Sequence, residues 1–464
     1  MRERGEHMKK IKKNLTVRML IAMAAGIILG IAMISLRENL NAAGNGETWT
    51  AINNLLFADI SAQGNESAIG LFYIIGQLFV RALQAVIVPM VFTSIVLAMV
   101  RISDSRKLGR ISGKTLGLFL LTTVIAIAIA ASAGMLAYNA GLFQNTSIGL
   151  EGTTGNTGSN PLMVIVNAVP NNITATFSTN GGVLAVVVAA VAVGLAVNKL
   201  SDKGPGLTKL CQEILDIITI ILNFVVDKMG PLAIFCLISR TCASYGIAYL
   251  KPAMAYIILT VAILLLVLLL GYPTFVRITT KLPAGPFFRK IAKVALFGFS
   301  TSSSAATLPL NLDTAVNELG VKEEIASFVL PLGMTVNMDG TAIMQVIATI
   351  FIAGCAGYQI TVPTLLTIAA LAIVASIGTP AAPGAGAVIL FTILSGVGFN
   401  NEMALMTYSL ILAINRPIEM LVTSLNVVGD TSTAMAVAKS ENALDVDAYL
   451  KEESRAGKEE KAAA

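Results

Sequence analysis

Up to about residue 275 the chain alternates long apolar runs with short polar segments. Beyond residue 286 the apolar segments shorten and are broken by serine, glycine, asparagine and proline. Six runs, at about 17–36, 69–100, 115–140, a fourth ending near Lys199, 208–242 and 252–275, are each long enough to cross a hydrocarbon core as a helix. Basic residues gather in the tail before the first run, from Arg101 to Lys114, from Lys199 to Lys209 and from Arg277 to Lys293, whereas 143–161 carries none. That alternation predicts a multi-pass protein of the plasma membrane with both termini in the cytoplasm. Asp227, Lys228 and Pro231 predict a bend in the fifth helix.

The later segments are too short to cross. Ile291 to Phe299 is followed by Ser300, Thr301, Ser302, Ser303 and Ser304, then Pro309, which predicts a re-entrant hairpin. Ile325 to Met334 and Ala342 to Ala353 flank Asn337, Met338, Asp339, Gly340 and Thr341, which predicts a helix unwound at its middle. Leu365 to Ala375 leads into a run from Ser376 to Gly386 rich in Gly, Ala and Pro, a second hairpin, and a polar-striped span follows over about 403–438. Hairpin plus broken helix, then hairpin plus striped helix, is the pattern of an inverted repeat with a site at the membrane midplane.

The stripe is specific. At about 100° per residue, Glu419, Thr423, Asn426 and Asp430 fall within roughly 60° of one another, with Arg416 on the edge. Ionisable groups at membrane depth face a bundle interior or an aqueous cavity, so this face is a candidate substrate and ion site.

Composition agrees. The 464 residues are 55% hydrophobic and 13% charged, with mean hydropathy +0.78. The net charge of +5 sits in the segments between apolar runs, which sets orientation and argues against nucleic acid as a partner. Cys211, Cys236, Cys242 and Cys355 lack metal-ligand spacing and read as buried, reduced thiols. The single histidine, His7, lies in the basic tail, so no intramembrane imidazole can relay protons or bind metal. Trp49, the only tryptophan, suits a membrane interface. The tail from Ser440 to Ala464 is charged and alanine-rich, and is expected to be cytoplasmic and loosely ordered.

A hairpin tip or an unwound helix frees backbone groups that hydrocarbon cannot satisfy and that can bind a cation or a carboxylate. Asp339 and Asp430 add charge, and Asn337, Asn426, Thr122 and Thr123 add neutral oxygen, a hard donor set suited to an alkali cation. Plainer readings exist: a small-residue helix contact for Ser302 to Ser304, an ordinary loop for 376–386, and hydroxyls bonded to their own helix for Thr122 and Thr123. Two buried carboxylates need compensation, and that tips the balance toward a site.

The segment from Phe299 to Lys439 resembles the glutamate-transporter homologue family, the dicarboxylate and amino-acid:cation symporters. The resemblance lies in the serine-rich tip with Thr307-Leu308-Pro309, NMDGT at 337–341, SIGTPAAPGAGA at 376–387, and the Asn426 to Asp430 pattern. It implies an all-α polytopic membrane protein with eight transmembrane helices and two re-entrant helical hairpins in inverted repeats, working as an elevator in a homotrimer embedded in lipid. Residues 1–14 would be a cytoplasmic tail, 15–114 and 165–250 the scaffold and trimerisation helices 1, 2, 4 and 5, and 441–464 a second cytoplasmic tail. Residues 115–140 and 251–440 would form the transport domain of helices 3, 6, 7 and 8 with both hairpins.

By position, the resemblance implies one sodium site at Gly333, Asn337, Asn426 and Asp430, a second at Thr335, Ser376, Ile377 and Thr379, and a third at Thr122, Thr123, Asn337 and Asp339. Phe119 stands where some relatives have tyrosine. Substrate would meet Ser303, Ser304, Thr341, Ala382, Gly386, Glu419, Val422, Thr423 and Asn426. Members that take glutamate or aspartate have an aspartate at the place of Glu419 and an arginine at that of Val422. Valine cannot replace a bidentate guanidinium, so a neutral amino acid carried with Na⁺ is the expected substrate. Alternatives stay open: an acidic amino acid or dicarboxylate held by Arg416, coupling to H⁺ through a buried carboxyl, or an ion channel. An intramembrane hydrolase built on Ser302 to Ser304 lacks a histidine partner, and no enzyme activity is expected.

Overall fold

The computed structural model describes residues 2–61, 64–103, 109–144, 166, 169–178, 183–200, 205–245, 250–377, 379, 381 and 384–451. Among these residues the chain is all helical, with one isolated β-bridge between Val321 and Leu444. The outside loop expected at 143–161 lies almost wholly beyond them.

Six helical stretches have the length and apolar character to cross a membrane, the first ending at Ala42 and the last running from Glu323 to Cys355. The chain is therefore a multi-pass membrane protein. α1 (Arg2–Ala42) reaches beyond its apolar run and is followed by α2 (Gly46–Leu56), which carries Trp49, so part of the polar 37–67 segment is helical. α3 (Leu71–Ala85) and α4 (Ile87–Ser103) form the second crossing, and α5 (Gly109–Asn139) the third. The short α6 (Ile173–Phe177) precedes α7 (Val183–Lys199), which is apolar but brief. α8 (Pro205–Phe224) joins α9 (Gly230–Tyr245) through a π-turn at Val225–Met229, which is where the sequence predicts a bend. α10 (Leu250–Leu266) joins α11 (Tyr272–Thr280) through a second π-turn at Val267–Gly271.

Both hairpins form. α12 (Ala284–Thr301) and α13 (Ser304–Asp313) meet at Ser302, whose φ of 49° is a left-handed conformation rare for a serine, and Ser303 caps α13 by accepting from the Ala306 N–H. α14 (Glu323–Val336) and α15 (Asp339–Cys355) are the broken span, with Asn337 and Met338 between them. α16 (Val362–Ile377) and α17 (Ala385–Val397) are the second hairpin.

The striped span is the first correction. The sequence predicts one helix over about 403–438, but α18 (Glu402–Ile414) and α19 (Arg416–Ser440) meet at Asn415 with a 70° bend. Pro417 lies in the first turn of α19, where its missing N–H costs nothing, and the ring it brings prevents α18 from running straight on.

The second correction concerns the C-terminal tail, whose residues 441–451 dock on the helical bundle. Asp445 donates its N–H to Gly320 O, and Lys322 donates to Ala443 O. α20 (Val446–Leu450) sinks Tyr449 out of solvent, its hydroxyl donating to Pro283 O at 2.6 Å and accepting from the Phe287 N–H. Lys114 and Arg110 from the start of α5 clasp Glu441. A buried aromatic and these backbone bonds outweigh the tail's polar composition. Residues 452–464 lie outside the described chain.

Packing sorts the helices. α1 and α3 pack on α9, and α4 packs on α7 and α8; α5 and α10 pack on α15, while α11, α12, α14 and α15 surround α19. Every residue of α15 and nearly all of α19 is buried. These two helices are the centre of the molecule, and their polar residues face one another there.

Candidate functional site

The break in the fifteenth helix's span and the polar stripe of α19 meet. Asn337 donates its amide to Asp430 Oδ1 at 3.0 Å, and its own Oδ1 is buried without a hydrogen bond. Asp339 accepts from Thr123 Oγ1 at 2.5 Å and from Tyr272 OH at 2.9 Å. Thr122 lies beside the same carboxylate but donates its hydroxyl to Phe119 O at 3.0 Å. Phe119, fully buried, offers no oxygen, and its ring packs close to Gly333.

Two glycines allow this closeness. A Cβ at Gly333 would stand 2.4 Å from Asp430 Oδ1, and one at Gly429 would stand 2.4 Å from Tyr272 OH and 2.9 Å from Asn337 Nδ2. No salt bridge reaches Asp339 or Asp430 among the described residues. Two buried carboxylates are thus held by neutral donors only. A carboxyl in that setting needs a cation beside it or a proton on it, and the orphaned Asn337 Oδ1 is a ready acceptor toward a cation. The set of carboxylate, amide and hydroxyl oxygens fits an alkali ion.

One helical turn away lies the second half of the site. Asn426 Oδ1 accepts from the Gly340 N–H at 2.8 Å, and its Nδ2 faces Thr341 Oγ1 and Met338 Sδ, each at 3.2 Å. A small cavity opens here, lined among others by Ser304, Thr341, Gly386, Glu419, Val422, Thr423 and Asn426. Its volume of about 30 Å³ has room for roughly one water molecule. The second hairpin closes it through two contacts: Ser303 Oγ of the first hairpin tip donates to Ala381 O at 3.1 Å, and Gln345 Nε2 of α15 donates to Gly386 O at 3.1 Å.

Glu419 and Arg416 are both buried, with Arg416 Nη1 at 3.5 Å from Glu419 Oε2. The contact is loose. Glu419 Oε1 and Arg416 Nε carry no hydrogen bond, and Asn415 and the backbone at Ala387 lie near Glu419 without completing one to Oε1. Asn415 is held from the other side by Tyr256 OH at 2.8 Å. Arg416 therefore turns toward Glu419 and not to a membrane interface.

Of the residues singled out in the sequence, Thr123, Gly333, Asn337, Asp339, Asn426 and Asp430 converge. Ser303 caps a helix and ties the tips together, just behind the cavity wall. Thr335, Ser376 and Thr379 turn their hydroxyls to carbonyls of their own chain, at Leu332, Ile373 and Ala375. Thr379 also lines the cavity, and Ile377 is half-buried beside it. Ala382 lies outside the described residues. Tyr272, Ser302, Met338, Met344 and Ala381 join the site without having been singled out for it; Tyr272, set in an apolar run next to a proline, reads as packing.

This arrangement of two hairpin tips and a broken helix around carboxylates is matched by a family likeness over residues 15–440, to the sodium:dicarboxylate symporters. The chain belongs to the sodium:dicarboxylate symporter family. It is similar to a proton/sodium-glutamate symport protein of Bacillus caldotenax, 30% identical over 82% of this chain and 90% of the relative. A proton/glutamate-aspartate symporter of Escherichia coli is 27% identical over 94% of this chain and 95% of its own length. A C4-dicarboxylate transport protein of Deinococcus deserti is 27% identical over 95% and 92%. The family member described here is a cation-coupled symporter for a small molecule, and not an enzyme.

Proposed function

We propose that this symporter couples Na⁺ to uptake of a neutral amino acid. The observation that carries the reading is the pairing of Glu419 and Val422 on one cavity wall. The unpartnered Oε1 of Glu419 is an acceptor for an α-ammonium, Asn426 and the N–H groups at the hairpin tips serve the α-carboxylate, and Val422 offers a side chain only apolar contact.

Sodium occupies the sites around Asp430, Asn337 and Asp339, and beneath the second hairpin at Thr335, Ser376, Ile377 and Thr379. It organises the Asn337 to Asp339 break so that Gly340 and Asn426 face the substrate. Closure of the tips, through Ser303 and Ala381, then requires both ion and substrate, and coupling is the difference in affinity between the open and closed states. In this reading α7 and α19 complete eight spans with both termini in the cytoplasm. Residues 115–140 and 251–440 move as one unit against 15–114 and 165–250 within a homotrimer. The membrane potential adds about 2.3 kcal/mol per charge per 100 mV to the driving force.

A second reading has its own observation. Arg416 Nε is buried without a partner beside Glu419, and curated relatives bear names of glutamate and C4-dicarboxylate carriers; an acidic substrate could draw Arg416 off Glu419. Thermal unfolding of the purified protein separates the two. Serine raises the midpoint only when Na⁺ is present, and Glu419→Gln abolishes that rise; stabilisation by aspartate or succinate, lost in Arg416→Gln, would replace the first reading with the second.

A further inference from the structure

Sharing no lining residue with the midplane site, an open cleft of about 310 Å³ lies at the end of α1 remote from its basic tail, between α1, α2, the end of α9 and the start of α18. That is the size of a small-molecule site. Four charged side chains line it: Arg37, Asp59, Arg240 and Glu402.

Two of the charges are spent. Arg240 pairs with Asp59 at 3.5 Å, donates Nε to Phe57 O at 2.8 Å and lies over the Tyr73 ring at 4.8 Å; Asp59 also accepts from the Ser61 N–H and hydroxyl. The other two are open. Arg37 uses Nη1 on the carbonyls of Ala243 and Ser244, at 3.0 and 3.4 Å, and meets no carboxylate among the described residues. A guanidinium has five N–H donors, so most of its capacity is left. Glu402 sits exposed in the first turn of α18 and pairs with no cation among the described residues. Trp49, stacked on Phe57 with ring centroids 6.4 Å apart, lines the same cleft and supplies an apolar wall.

One uncompensated cation and one uncompensated anion across an aromatic wall match a molecule that carries both a carboxylate and an ammonium. We propose that this cleft is a second binding site, separate from the midplane cavity, for an amino-acid zwitterion, with its carboxylate on Arg37 and its ammonium on Glu402. Arg37 and Glu402 come from α1 and α18, which both pack on α9, so an occupant bridges the ends of two helices held by a third.

Trp49 makes the test direct, because it is the only tryptophan and it lines the cleft. Emission of the purified protein is titrated with serine, and with propionate and ethanolamine as half-ligands, in the parent chain, Arg37→Gln, Glu402→Gln and Asn426→Ala; calorimetry on Asn426→Ala provides a second readout. The expected result is a saturable change with serine that survives Asn426→Ala and weakens roughly tenfold or more in Arg37→Gln and in Glu402→Gln, the loss of one charge-assisted contact. Glu402 is exposed, so its variant is expected to fold, and Arg37→Lys covers the case in which Arg37→Gln is unstable. A signal lost in Asn426→Ala but kept in Arg37→Gln would assign the binding to the midplane cavity and overturn the proposal. Propionate binding as well as serine, or no saturable heat or emission change in Asn426→Ala, would overturn it too. None of these outcomes depends on transport, so failure here and failure of the proposed sodium coupling are read separately.

Discussion

Asn337 bridges the two central helices by giving its amide to Asp430 at 3.0 Å while its carbonyl oxygen stays buried and unpaired. One residue thus both holds a carboxylate and offers an oxygen beside it. Asn337→Ala is expected to remove the side-chain donor that holds Asp430 among the described residues and to raise the Na⁺ concentration for half-maximal uptake more than tenfold, since losing a hydrogen bond to a charged group costs about 1.5–3 kcal/mol. Uptake against Na⁺ concentration at saturating substrate checks it; an unchanged sodium dependence would remove Asn337 from the ion site.

Tyr272 reaches Asp339 from a different helix, with its hydroxyl 2.9 Å from Oδ2. Tyr272→Phe keeps the ring and removes one donor. Sodium affinity is expected to fall by roughly tenfold while the protein stays folded. Comparing the sodium dependence of uptake with the thermal midpoint separates a role at the carboxylate from one in packing.

Gly333→Ala would put a methyl group 2.4 Å from Asp430 Oδ1. Neither backbone nor carboxylate can yield easily there, and overpacking of this kind costs about 1–3 kcal/mol. The expected outcome is a chain that still reaches the membrane but binds Na⁺ poorly, measured by sodium-dependent protection against thermal unfolding.

The docked C-terminal segment gives a pH dependence. Hydrogen bonds from Lys114 and then Arg110 hold the Glu441 carboxyl below its ordinary value. A lowered folded value means that the attachment is fully present above the ordinary glutamate value, about 4.3, and is lost as pH falls through the folded one. Protease cleavage near Lys451 is expected to be slow at neutral pH and to rise only well into the acid range. In Glu441→Gln it should be faster at neutral pH, and independent of pH there.

Much of this was legible in the sequence because hydrocarbon is so unforgiving a solvent. Segments too short to cross, with serine or glycine at their ends, can only be hairpins, and Asp339 and Asp430 could not be buried idly. What escaped depended on long-range contact. The bend at Asn415 hides because Pro417 is tolerated in a first helical turn, and so a continuous span fits the apolar pattern equally well. Tyr272 gains its role only when α11 meets α15 across α19. Tyr449 anchors a tail whose composition speaks of disorder, because its pocket is built by Pro283 and Phe287, far away in the chain.

The most direct test of the account is uptake into proteoliposomes under an imposed Na⁺ gradient, with choline replacing Na⁺ in the control and pH held equal across the membrane. The panel holds serine, alanine, threonine, larger neutral amino acids, aspartate, glutamate and succinate. The expected result is Na⁺-dependent uptake of a neutral amino acid that aspartate fails to compete, and a gain of aspartate uptake at the expense of serine in Val422→Arg. Uptake of aspartate or succinate by the parent chain, or uptake driven by a proton gradient with no response to Na⁺, would contradict it.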